Sequence, residues 1–85
     1  MSEEGIQKVG EVTHFFTDIG VAVVKLSGSL EVGDRIRVKG ATTDFEQDVN
    51  SIQIDQEDVE EAGKGDEVGM KVKGRVRDGD NVYKL

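Results

Sequence analysis

The chain has 85 residues, no cysteine, no proline and a net charge of −7. That length makes one domain with a modest core, hiding about 60–65% of its unfolded surface. The missing cysteine excludes disulfides, a thiolate nucleophile and zinc–thiolate sites, and the acidic balance argues against a generic, charge-driven nucleic-acid binder.

Residues 1–5 are polar and are expected to form a flexible N-terminus. Residues 6–85 are expected to form a single β-barrel domain. A first strand is expected from Ile6 to Phe16, with Gly10 marking a bend or bulge. Ile19 to Leu26 is the most apolar segment, and its apolar residues occupy both parities. Such a strand is buried on both faces or leaves an apolar patch outside.

The next segment opens a pattern that occurs three times. Gly33-Asp34-Arg35-Ile36-Arg37-Val38-Lys39 returns as Gly65-Asp66-Glu67-Val68-Gly69-Met70-Lys71 and again as Gly79-Asp80-Asn81-Val82-Tyr83-Lys84. Gly tolerates positive φ, and Asp can accept hydrogen bonds from nearby backbone N–H groups, so Gly-Asp suits a tight turn. The period-two alternation that follows predicts a strand with one buried face. Ile36, Val38, Val68 and Met70 are therefore expected inside, with Arg35, Arg37, Lys71 and Lys73 outside. These glycines start strands, so they are not phosphate loops opening helices.

Between the first two repeats, Phe45 and Val49 share one parity while Ile52 and Ile54 share the other. A bulge near Asn50-Ser51 would restore both sets to the core. Gln56 to Glu61 is acidic and reads as one helical turn or an irregular loop. With about six strands and frequent turn signals, the chain has the profile of a small barrel or sandwich.

Two basic runs stand out on this acidic chain: Arg35, Arg37 and Lys39, and then Lys71, Lys73, Arg75 and Arg77. Each is expected to line one strand face, either as a solvated surface or as a binding stripe. His14 stands alone among histidines and reads as a strand residue beside Phe15 and Phe16. The acidic run from Asp55 to Glu61 lacks the spacing of a calcium loop. Nothing places a buried carboxylate pair for acid–base work, so no catalytic residue, metal site or cofactor is expected.

The segment Leu30-Glu31-Val32-Gly33-Asp34-Arg35-Ile36-Arg37-Val38-Lys39-Gly40 resembles part of domain II of translational GTPases such as elongation factor Tu. Ser51-Ile52-Gln53-Ile54, followed by Val59 to Gly69, is similar to a later segment of the same domain. Thr13 to Phe16, Ile19 to Val24 and Thr42 to Gln47 look closer still to the C-terminal barrel of collagenase-like peptidase-family proteins, some of which are linked to tRNA modification. The resemblance implies an all-β fold, a small six-stranded Greek-key β-barrel of the translation-protein domain II type. No Gly-x-x-x-x-Gly-Lys-Ser/Thr loop is present, so no nucleotide-driven engine is expected. Gln53 and Gln56 stand where the elongation factor uses Glu and Arg around the tRNA 3′ adenosine. Gln can hydrogen-bond a base or ribose but supplies no charge.

These features predict a non-catalytic, cytoplasmic binding module that binds neither nucleotide nor membrane. Its expected partner is tRNA, ribosomal RNA or a translation or RNA-modification protein, met through Arg35, Arg37, Lys39, Gln53, Gln56, Lys71, Lys73, Arg75 and Arg77. The alternative is a protein–protein adaptor, the detached C-terminal barrel of a peptidase-like or tRNA-modifying partner, with no direct RNA contact. The two-faced apolar strand favours that alternative.

Overall fold

The computed structural model describes residues 7–85, which form ten strands and no helix. In chain order these are β1 (Gln7–Phe16), β2 (Val21–Leu26), β3 (Leu30–Glu31), β4 (Arg35–Lys39), β5 (Asp44–Asp48), β6 (Ile52–Ile54), β7 (Glu57–Val59), β8 (Glu61–Ala62), β9 (Glu67–Lys71) and β10 (Asn81–Lys84). The segment expected to fray, residues 1–5, and Ile6 lie outside the described residues.

Each Gly-Asp pair ends a four-residue turn closed twice over. The Asp34, Asp66 and Asp80 N–H groups donate to the carbonyls of Glu31, Gly63 and Arg77 at 3.1, 3.0 and 3.0 Å. Their carboxylates accept the N–H groups of those same three residues at 2.9, 3.0 and 2.9 Å. Gly33, Gly65 and Gly79 hold φ of 101°, 92° and 91°, the left-handed third position of a type II turn. β4, β9 and β10 each begin just past one of these turns.

All strand pairs are antiparallel, and eight strands form one sheet in the order β5-β4-β10-β1-β2-β9-β6-β7. β3 and β8 form a separate pair. The architecture is all-β, but the strands do not close into the expected six-stranded Greek-key barrel. The sheet is open in its backbone hydrogen bonding, and no ladder joins β5 to β9. It curls so far that one side chain spans the gap. The Gln47 amide donates to Lys71 O at 2.9 Å, and Lys73 N–H donates to Gln47 Oε1 at 2.8 Å. Gln47 thus acts as a substitute strand partner and is itself buried.

The core lies inside the curl. Ile36, Val38, Val68 and Met70 are 0–2% exposed, as the alternation predicts, and they pack with Val9, Val12, Val24, Leu26, Ile52 and Val82. Arg35, Lys71 and Lys73 are exposed, whereas Arg37 is half-buried against β5. Gly10 does sit at a bulge, for the β1–β10 register shifts between Lys8 and Gly10. A side chain there would collide with Val24, since an added Cβ would lie 2.6 Å from Val24 Cγ1.

Two expectations change. The phase shift after Val49 is no bulge within one strand. The chain leaves β5 at one end of the sheet order and enters β6 near the other, so the two segments take independent registers. The acidic segment after Gln56 forms no helical turn, because β7 pairs with β6 as a hairpin.

Ile36→Ala is expected to lower unfolding free energy by about 2–5 kcal/mol, the cost of a core cavity. Gln47→Ala should cost about 1–3 kcal/mol by leaving the Lys73 N–H and Lys71 C=O without their partner. Denaturant melts check both, and an unchanged Gln47→Ala midpoint would mean that water replaces the bridging amide.

Candidate functional site: a groove across the outer face

The first basic run proves neutralised. β4 lies beside β5 with Arg35, Arg37 and Lys39 opposite Asp48, Glu46 and Asp44. Arg35 reaches Asp48 at 2.9 Å and Glu46 at 3.6 Å. Arg37 forms a two-pronged pair with Asp44, both bonds 2.8 Å long. The Arg37 hydrogen bond, with its charge and that of Lys39, holds the Asp44 carboxyl below its usual range, and Asp44 in turn raises Arg37. Three cations facing three anions make a cross-strand ladder, not a positive stripe.

The second run is split. β9 ends at Lys71, and no strand runs through residues 72–80. Lys71, Lys73, Arg75 and Arg77 are all exposed, and none forms an ion pair among the described residues. They do not converge on one site. Lys71 and Lys73 border a groove of about 410 Å³ shared with Arg35, Glu46 and Asp48. Arg77 meets Lys39 in another of about 540 Å³ that also holds Asp78 and Asp80. Both grooves mix charges, and Arg75 lines neither.

Gln53 and Gln56 do come together, in a third groove of about 360 Å³. The strand registers explain its floor. On the outer face, His14 stands opposite Val23, Val23 opposite Gly69, Gly69 opposite Gln53, and Gln53 opposite Asp58. This row crosses β1, β2, β9, β6 and β7. Gly69 has no side chain, so the row dips between Val23 and Gln53.

One wall is apolar. Ile19 sits in the turn joining β1 to β2, where Gly20 N–H donates to Phe16 O at 2.9 Å. It is therefore turn, not strand, and is 60% exposed beside Phe16 at 46%. Val21 and Val23 continue this surface, while Ala22, Val24 and Leu26 face the core. The second expectation for the two-faced strand, an apolar patch outside, is the one realised. The Phe16 ring meets the His14 ring edge-on, centroids 4.5 Å apart.

The opposite wall is polar and strained. The β6–β7 hairpin turns on Asp55 and Gln56, with φ of 52° and 68°. Both residues in left-handed backbone match a type I′ turn, which favours Asn-Gly. No other non-glycine residue among those described holds positive φ. Gln53 Nε2 donates to Asp58 Oδ1 at 3.0 Å, and Thr13 Oγ1 donates to Glu67 Oε2 at 3.3 Å, so two groups of the polar side are held in place. Of the lining residues, the sequence reading nominated only Gln53 and Gln56. The apolar wall was signalled by the double parity of Ile19 to Leu26, whereas Asp55 and Glu67 carried no local signal.

Among the described residues no cluster of three His, Asp or Glu side chains gathers to hold a metal ion, and no helix is long and apolar enough to cross a membrane.

The chain is 43% identical over 79 residues to an uncharacterized protease of Methanocaldococcus jannaschii. It is 37% identical over 79 residues to a collagenase of Porphyromonas gingivalis. These matches cover 92% and 91% of this chain but 19% and 22% of those proteins, so the chain spans about a fifth of their length. It is similar to one segment of collagenase-like peptidases. The fold agrees: the C-terminal domain of a Geobacillus thermoleovorans protein assigned to the U32 peptidases superposes with a TM-score of 0.88. That match is 21% identical and covers 92% of this chain and 99% of that one. No protein-family model matches. These relatives overturn the elongation-factor reading: the turn words shared with domain II are grammar of the fold, and the similarity lies with peptidase-associated domains.

Two measurements check this description. The depressed Asp44 carboxyl stabilises the fold above the usual carboxylate range, and that contribution is lost as pH falls through its lowered value. Asp44→Asn should therefore lower Tm at neutral pH, with the gap to wild type closing in strong acid. Replacing Asp55-Gln56 by Asn-Gly should raise stability by about 1 kcal/mol by relieving the left-handed strain. A fall in Tm would show that the native side chains hold the turn through contacts of their own.

Proposed function

We propose that this chain is a non-catalytic docking module that attaches to a collagenase-like peptidase or a protein built like one. The observation that carries this reading is the apolar wall formed by Phe16, Ile19, Val21 and Val23 beside a preformed groove. Large apolar side chains standing together on an outer sheet face mark an interaction surface, because leaving them in water is unfavourable. The similarity supports the choice of partner: peptidase relatives carry a matching segment within a chain about five times longer. Here that segment is folded around its own core, and its turns need nothing from a larger body.

The side chains around the groove favour attachment over catalysis. The carboxylates facing the groove, Asp55 and Glu67, are exposed, and the lone histidine lies on the outer face against Phe16. The β4 arginines are committed to β5, whereas the apolar wall has no partner among the described residues.

Calorimetric titration tests this reading. The chain is added to a collagenase-like peptidase from the same organism whose own matching segment, if it has one, is deleted. Saturable binding is expected, and Ile19→Asp should weaken it at least about tenfold by burying a charge in the contact. Absence of heat and of co-elution would reject a peptidase as the partner.

A further inference from the structure

The groove has two chemically different ends. Phe16, Ile19 and Val21 form one. Glu67 and the hairpin tip form the other, because β6 runs antiparallel to β9 from the Gln53–Gly69 pair and so carries Asp55 toward Glu67. Two carboxylates and no cation line the groove. The neighbouring hairpin strand adds the exposed Asp58, opposite Gln53. The nearest cations along the strands are Lys25, opposite Glu67, and Lys71, opposite Val21, and neither lines the groove.

We propose that this groove receives a linear protein segment bearing an apolar side chain and, a few residues away, a lysine or arginine. This rests on the docking reading and adds the chemistry of the occupant. The apolar side chain covers Ile19 and Phe16, and the cation lies between Glu67 and Asp55. The spacing follows from the strands. Lys71, opposite Val21, and Glu67 are four residues apart on β9, roughly 13 Å at strand rise. An extended segment covers that distance with about four residues, and fewer suffice when the cation is carried on a long side chain. Charge complementarity of this kind acts on orientation and partner choice more than on raw affinity. It also gives the strained tip a purpose: Asp55 sets a carboxylate at the groove edge, which the relaxed Asn-Gly alternative would not offer.

Fluorescence polarisation with three labelled peptides tests the idea. All share one apolar residue in a neutral, soluble background. The residue four positions away is Arg in the first, Gln in the second and Glu in the third. The Arg peptide is expected to bind at least about threefold more tightly than the Gln peptide, with the Glu peptide weaker still. Its advantage should shrink at high salt. Asp55→Asn with Glu67→Gln should erase the preference for Arg over Gln, and circular dichroism confirms that the variant is folded. Equal affinities for the three peptides, or a preference that survives the double variant, would overturn the proposal. So would failure of every peptide to bind. In that last case, binding of the intact peptidase in calorimetry would leave the docking reading standing with a folded surface as its partner, whereas its absence too would remove both.

Discussion

The reciprocal lock in the Gly-Asp turn is the constraint on which the rest of this structure hangs. A type II turn leaves its first N–H free, and here the Asp carboxylate takes it while the Asp N–H closes the turn. A charge-assisted acceptor on a backbone donor is stronger than a neutral one, so each turn is fixed in shape and in exit direction. Three strands leave such turns: β4 and β10 adjoin in the sheet, and β9 lies beyond β1 and β2. With those exits fixed, the period-two patterns that follow have only one phase that buries Ile36, Val68 and Val82 together. A slip of one residue would send the charged faces of β4 and β9, or Asn81 and Tyr83 of β10, inward.

What the turns cannot do is close the sheet. The Phe45 ring of β5 packs over Gly74 just past β9, but no backbone ladder bridges the gap between β5 and β9. Gln47 solves this with a side-chain amide, which offers the same donor and acceptor as a peptide group. Its burial is acceptable because its donor and acceptor groups are both used. The solution is economical in area, and it leaves β5 with a charged outer face pairing β4. The Arg–carboxylate ladder then serves as guard as well as glue: an edge strand carrying Asp44, Glu46 and Asp48 on its outer face discourages another chain from pairing with it.

These particulars explain which parts of the molecule were legible in the sequence. The turn-strand units were readable because turn chemistry and alternation are local, and Gly10 was readable because a glycine inside a strand has few other reasons to be there. The basic stripe was not, because a charge pattern on one strand says nothing about its neighbour. Only the pairing of β4 with β5 revealed that the cations are answered in kind. The β6–β7 hairpin was missed because Asp55-Gln56 is not a common type I′ pair, and an acidic sequence with little apolar matter gives no period to follow. Gln47 shares the inward parity of Phe45 and Val49, yet nothing local shows what its amide would bond. Its role depends on where Lys71 and Lys73 fall, some 24 to 26 residues later.

The same comparison separates what the fold requires from what the outer face adds. The core would be satisfied with polar residues at positions 19, 21 and 23, since Ala22, Val24 and Leu26 already supply the inward face of β2. It would also be satisfied with Asn-Gly at the hairpin tip. Instead the chain places apolar side chains in water and holds two non-glycine residues in left-handed backbone, both against the stability of a small domain with little to spare. The two departures fall on opposite walls of one groove, although 30 or more residues separate them in sequence. Independent surface drift would scatter such costs over the molecule. Their meeting across the bare backbone of Gly69 fits the docking surface proposed for this face of the sheet.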